Sequence, residues 1–462
     1  MLRLYHYGIL AAGLGIGALG EAIKTIGQSN SATSTSNSNS NSQSSLFLNK
    51  SNIDRLVNKL SKMRGAALKL GQMLSIQDNT SNAISPELEQ VLIRVQNSAN
   101  YMPVKHLNKV MAKELGRSNG NSKDWKAGKF SEFNEIPFAA ASIGQVHEAK
   151  LSKRLADKYG FERVAVKVQY PGSAISIDSD LDNLSSLLVM SRLLPRGMYL
   201  ESTIASARKD LKLECDYEYE GSQLDKFGKL LSPENKNPGN SVGVFEAFRI
   251  PKLVPELSTK QVLTTEYIPG IPLSKTTKYD QETRNWIGSK IMELCLLELF
   301  KFGVMQTDPN WSNFLYDHQT KKIGLIDFGA TRTFSPEFLD MYGRLLASAG
   351  YHNDRKLCEK VSLEIGYLTG HETRLMKDSH VDSVMILGEP FRFEGEYDFS
   401  NQTITHRIRE TIPVMLKHRL TPPPEETYSL HRKLSGAYLL CAKLGAKVNC
   451  YVIFAKYLSK HF

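Results

Sequence analysis

The sequence predicts an α+β chain of two lobes, a smaller one rich in strands followed by a larger helical one. Three observations predict it. Residues 163–169 alternate, with Val164, Val166 and Val168 facing one way and Ala165, Lys167 and Gln169 the other, as in a half-buried strand. Residues 314–316 and 323–326 are short apolar runs joined by the polar stretch 317–322, which reads as a β-hairpin. Residues 286–302 form a strongly apolar helix, and 337–462 read as further helices with a break at Pro422-Pro423-Pro424. A length of 462 residues accommodates two lobes and an extension.

Composition narrows the partners. Hydrophobic residues make up 41% of the chain and charged residues 23%, ordinary proportions for a globular protein. The net charge of +10 favours anionic partners such as nucleotides or acidic lipid. Lys and Arg are scattered and no nucleic-acid-binding motif is present, so nucleic acid is not an expected partner. The five cysteines lack C-x-x-C spacing and are odd in number, which reads as reduced thiols in an intracellular compartment.

In chain order, residues 1–27 come first, with an apolar centre of about fourteen to sixteen residues, short of the roughly 20 that span a bilayer. A membrane-dipping anchor, a cleaved presequence and a secretory signal all fit such a segment, and the reduced-looking cysteines argue against the last. Gly13-x-x-x-Gly17 would let two such helices approach closely in lipid, as in a homodimer. Residues 28–46 are almost wholly Ser, Asn, Thr and Gln, a flexible linker. Residues 47–124 form a helical extension. In it Ile53, Leu56, Val57, Leu60, Met63, Ala67, Leu70 and Leu74 make one apolar stripe. Gly71 inside that helix costs about 1 kcal/mol relative to alanine and points to close packing.

The small lobe is expected over 125–268. Ala139, Ala140, Ala141 and Ser142 stand where a nucleotide-binding lobe carries a glycine-rich loop, leaving only Gly144, so phosphate is approached differently here. Lys167, in V-A-V-K, is placed to hold the α- and β-phosphates. Its acidic partner is expected on a long helix over 202–231. There Glu214 and Glu220 point about 120° apart while Asp216 and Glu220 share a face, so Glu220 is given to Lys167. Glu214 and Asp216 are left for other work, and Glu214 and Glu220 could be exchanged. Thr265, Glu266, Tyr267 and Ile268 end the lobe as a hinge whose backbone would contact adenine.

The large lobe, 269–462, carries the densest chemistry. A hairpin symmetric about residue 320 brings Asn313 opposite Asp327, fourteen positions apart in sequence. An amide oxygen and a carboxylate at that separation suit Mg²⁺, held by one or two protein oxygens plus the phosphates of ATP or ADP. Asp308 and Asn313 fit the D-x-x-x-x-N of a protein-kinase catalytic loop, and Asp327-Phe328-Gly329 fits D-F-G. The predicted architecture is therefore a two-lobe protein-kinase-like fold. Gln306-Thr307 replaces the H-R before the catalytic Asp308, and no A-P-E follows, which speaks against a phosphorylation-switched protein kinase.

TDPNWSNF followed by LIDFGATR resembles the UbiB family of atypical kinase-like proteins. Lys69-Leu70-Gly71-Gln72 is similar to that family's KxGQ signature, Glu214-Cys215-Asp216 to its ExD motif, and residues 139–142 to its alanine-rich loop. PPPEETYSLHRKLSG is similar to its mitochondrial members, and the resemblance runs from about residue 50 onward. It implies that Lys69 and Gln72 sit on a helix packed over the active site and that Glu214 and Asp216 face that helix or a metal. It also implies Mg·ATP as cofactor, ATPase or phosphotransfer chemistry, and support of coenzyme Q biosynthesis at the matrix side of the mitochondrial inner membrane. Coenzyme Q enzymes and anionic lipid such as cardiolipin are the implied partners. A small-molecule or lipid phosphotransferase and a nucleotide-switched scaffold are the alternatives.

Overall fold

The computed structural model describes residues 101–116, 124–141, 143–191, 200–232, 242–308 and 310–461. The apolar amino terminus, the linker, Lys69, Gln72 and Ser142 lie outside the described residues. Among the described residues, no helix is long and apolar enough to cross a membrane.

The chain divides into two units. Of the described residues, the smaller holds Tyr101, Met102 and those within Ala140–Ile143 and Tyr170–Lys212. Within it, helices α2 (Ser173–Ser191) and α3 (Leu200–Glu214) bury Ile177, Leu181, Ile204, Ala207 and Leu211. Arg208 of α3 pairs with Asp178 and Asp182 of α2.

The larger unit holds Pro103–Ala139, Gly144–Gln169 and everything from Leu213. Helix α1 (Val104–Leu115) begins after Pro103, which has no N–H to leave unpaired. Its antiparallel sheet runs in the order β1 (Phe130–Phe133), β3 (Gly144–Leu151), β4 (Arg163–Gln169), β6 (Val262–Glu266), with β2 the short strand Ala139–Ala140. Val164, Val166 and Val168 are fully buried on one side of β4, so Lys167 projects from the other. Burying three valine-sized side chains stabilises that face by about 1.5 to 3 kcal/mol each, and this fixes the register of the strand.

Two expectations need correction. The helix expected over 202–231 is two helices, α3 ending at Glu214 and α4 (Tyr217–Leu230), because Asp216 caps α4 by accepting the Tyr219 amide at 3.0 Å. The helical phase used to compare Glu214 with Glu220 therefore does not hold across Cys215. The hairpin is shifted by half a residue. β9 (Phe314–Asp317) pairs β10 (Lys322–Leu325) with Asp317 opposite Lys322, so the dyad falls between residues 319 and 320. A loop of even length, 318–321, closing through Lys321 at φ +52°, places Ile326 rather than Asp327 opposite Asn313. The same small sheet has the order β5 (Phe248–Arg249), β10, β9, β7 (Ile271–Pro272), and β8 (Val304–Gln306) pairs separately with β11 (Thr331–Thr333).

Helix α5 (Gln281–Leu297) starts five residues before the expected Trp286, capped by Asp280, and ends in a π turn, Glu298–Phe302. Gly303 at φ +62° then turns the chain into β8. Helix α6 (Pro336–Gly350) packs on that π turn, α7 (Arg355–Glu364) and α8 (Arg374–Leu387) on α6, and α9 (Ile404–His418) on α8, while α10 (Glu425–Leu444) and α11 (Cys450–Leu458) pack directly on α5. Cys295, Cys358, Cys441 and Cys450 are buried free thiols and Cys215 is partly exposed.

Two histidines in this helical layer, His380 buried and His431 half-buried, set an acid limit. His380 Nε2–H donates to Ser362 Oγ at 3.0 Å, since that hydroxyl spends its own hydrogen on Cys358 O. Burial, with Arg419 and His431 adding to it, lowers His380 to about 3, and burial with Arg419 lowers His431 to about 4. Both are neutral in the fold and take protons in the unfolded chain below the ordinary 6.5. Their contribution is whole above that pH and is lost as pH falls toward 4, on the order of 3 kcal/mol each. Urea midpoints measured at about pH 7.5 and about pH 5 should fall with acid, and His380→Gln should flatten the dependence.

Candidate functional site

Lys167 leaves β4 opposite the valine face and is met by Glu220 of α4, which donates no proton but accepts from Lys167 Nζ through Oε1 at 2.8 Å and Oε2 at 2.9 Å. Glu220 is 1% exposed. Burial pushes its carboxyl up to about 7, with the Lys167 charge pulling it back. For Lys167, burial works against the charge, but Asp327 and Glu220 outweigh it and hold the ammonium well above the usual lysine value. Asp327 Oδ2 lies 3.4 Å from Lys167 Nζ. The lysine thus bridges an acid of α4 and one that follows the hairpin. Tyr217, at the start of α4, completes the floor: its ring lies 5.2 Å from Lys167 Nζ.

The two groups expected to hold metal lie on either side of the open hairpin end. Asn313 Nδ2 donates to Asp308 Oδ2 at 2.9 Å, which turns the amide so that its oxygen stays available. The Asn313 carbonyl accepts the Ile326 amide, and Asp327 follows directly. Asp327 Oδ1 accepts the Gly329 amide at 3.1 Å. Among the described residues, no cluster of three or more His, Cys, Asp or Glu side chains forms a protein-only metal cage. The donor set of one amide oxygen and one carboxylate fits Mg²⁺, which dehydrates reluctantly and takes its remaining ligands from water and phosphate.

The acids of residues 214–216 separate. Asp216 is committed as the α4 cap. Glu214 lies beside Gly329, its Cγ 3.6 Å from where a Gly329 Cβ would stand. Sequence reasoning missed the cation that serves it. Arg432 of α10 approaches Thr307 Oγ1 at 3.5 Å, and although burial lowers its pKa, Asp308 and Glu214 both support its charge. An arginine from 124 residues further on thus stands near Asp308, where the sequence immediately before Asp308 supplies none. Its sequence signals were its place in the basic pair Arg432-Lys433 and in the stretch PPPEETYSLHRKLSG, neither of which points to Asp308.

Of the alanine-rich stretch, Ala139 is half-buried in the larger unit, while Ala140 and Ala141 belong to the smaller. Gly144 is held small by packing, since a Cβ there would meet Val168 O at 2.5 Å and Tyr217 Oη at 2.7 Å. Gly144→Ala should therefore destabilise by about 1 to 3 kcal/mol, read as a lowered Tm. In the hinge, the Glu266 amide donates to Lys252 O and the Tyr267 amide to Arg163 O, so these two N–H groups are not adenine donors. The Glu266 carboxylate pairs with Arg249 at 2.7 Å. Thr265 stays in β6 opposite Ala165, and Ile268 is buried.

Residues 94–362 match the ABC1 atypical kinase-like domain. The sequence is 50% identical over 454 residues to the mitochondrial atypical kinase COQ8 of Saccharomyces cerevisiae, covering 98% of this chain and 83% of that one. It is also 50% identical to the COQ8 of Schizosaccharomyces pombe, covering 100% and 69%, and 45% identical to COQ8B of Danio rerio, covering 98% and 67%. Among solved structures, the Rv3197–erythromycin complex of Mycobacterium tuberculosis aligns with a TM-score of 0.57 at 23% identity, over 88% of this chain and 95% of that one, a likeness of fold. Carrying this domain over more than half its length, with that identity to COQ8 proteins, the chain belongs to the ABC1, or UbiB, family of atypical kinase-like proteins.

Proposed function

We propose that this chain binds Mg·ATP and turns it over by hydrolysis or by transfer to a small acceptor, in support of coenzyme Q biosynthesis at the matrix face of the mitochondrial inner membrane. The observation that carries the proposal is Lys167 held between Glu220 and Asp327. That arrangement presents one ammonium to the α- and β-phosphates and keeps it charged. Asp308 orients a water or an acceptor hydroxyl and takes its proton, while Asn313 and Asp327 hold the metal. Mg²⁺, when bound, neutralises charge on the phosphate oxygens. Arg432 steadies the negative charge of Asp308.

A peptide acceptor is disfavoured by the segment after Asp327-Phe328-Gly329. It passes at once into β11, and Ser335 caps α6 at Pro336, leaving no stretch that could serve as an activation loop ending in A-P-E. Lys69 and Gln72 are proposed to take part in the same chemistry. The names of the relatives place them in mitochondria, and the excess of Lys and Arg favours an anionic membrane surface such as one containing cardiolipin. The test is restoration of coenzyme Q in yeast lacking COQ8. This chain should restore it and Asp308→Asn should not, whereas equal restoration by both would remove ATP chemistry from the account.

A further inference from the structure

Gln306, two residues before Asp308, is gripped by buried charges that the proposed chemistry leaves without a task. Lys433 Nζ, from α10, donates to Gln306 Oε1 at 3.0 Å. The same Nζ lies 4.6 Å from the centre of the Phe314 ring and 6.0 Å from that of Trp311. One side chain therefore touches the catalytic loop at its start, Gln306, and at its end, Phe314. Lys433 and Glu298 are both fully buried. Glu298 stands in the π turn that ends α5, a distortion often found at functional sites. Among the described residues, neither of its carboxylate oxygens has a hydrogen-bond partner; burial raises the carboxyl to about 7, and the Lys433 charge draws it down through space. Stability alone does not call for two such buried charged groups, because apolar groups of similar volume commonly serve as well or better.

We propose that Lys433 is a positioning residue: through its bond to Gln306 and its contact with the Phe314 ring it fixes both ends of the loop and so holds Asp308 and Asn313 at their working separation. The inference rests on the roles given above to Asp308 and Asn313. Its test uses the full chain with Lys433→Met, Glu298→Gln and the two together. Lys433→Met alone strands a buried carboxyl and should lower Tm sharply, and the double variant, lacking both charges, should recover most of that loss. Recovery of Tm without recovery of function is the signature of positioning. The double variant should bind Mg·ADP within about threefold of wild type, yet lose about tenfold or more in kcat at little-changed KM. Amide exchange over residues 306–314 should quicken by about tenfold. Gln306→Leu, which removes the grip from the loop side and keeps both charges, should lose kcat similarly and add little in the double background. Wild-type exchange over 306–314 and wild-type kcat in the double variant and in Gln306→Leu would overturn the inference. Exchange needs no turnover, so a wild-type chain that consumed no ATP would defeat the proposed function while the exchange result still judged Lys433.

Discussion

Asp327→Asn is expected to remove Mg²⁺-dependent nucleotide binding and leave the fold intact. The carboxylate is one of two protein oxygens placed for the metal, so its loss should weaken Mg·ADP by about 100-fold or more. Asparagine keeps the shape and can still accept the Gly329 amide, and Lys167 keeps Glu220. Stability should therefore move by only about 1 kcal/mol, the scale of a single solvent-accessible ion pair. Calorimetry with Mg·ADP, beside a urea titration, reads both quantities. Unchanged affinity would take the metal away from Asp327.

Glu220→Ala should act the other way, chiefly on stability. Lys167 is 16% exposed and Glu220 1%, so truncation leaves an ammonium in a cavity with its two close carboxylate contacts gone and Asp327 alone to offset its burial. Breaking a buried pair by removing one partner costs about 3 to 5 kcal/mol. The freed ammonium should close on Asp327, already 3.4 Å away, and compete with the metal. Glu220→Gln, which keeps volume and an oxygen acceptor, should lose less on both counts. A urea-derived stability for Glu220→Ala within about 1 kcal/mol of wild type would mean that the pair is not the clamp described.

How far the sequence could be read depended on how local each determinant is. Lys167 was legible because alternation in a strand has a period of two and three valines fixed the buried face. The hairpin was legible as an element, yet its register depended on whether the loop is even or odd, and a half-residue error moved Asn313 from Asp327 to Ile326. The break between Glu214 and Tyr217 was also written in the sequence, since Asp216 followed by Glu218 and Glu220 is an acid-rich helix start. Helical phase was carried through it instead. The hinge amides of Glu266 and Tyr267 are taken by carbonyls of residues 252 and 163, pairings that no local pattern reveals. Arg432 and Lys433 lay furthest from reach. Their meaning depends on α10 packing behind a loop more than a hundred residues earlier, and a basic pair in a helix otherwise reads as a solvated face.

The central claim is that Asp308, Lys167 and the Asn313–Asp327 pair carry ATP turnover to something other than a peptide. Following γ-labelled ATP through the purified chain on cardiolipin-containing vesicles tests it most directly, with inorganic phosphate, extracted lipids and small molecules, and added peptides counted separately. The account predicts label in the phosphate or small-molecule fraction, none above background in peptide, and loss of all of it in Asp308→Asn. Label moving into generic peptides at ordinary kinase rates, or turnover unchanged in Asp308→Asn, would contradict it.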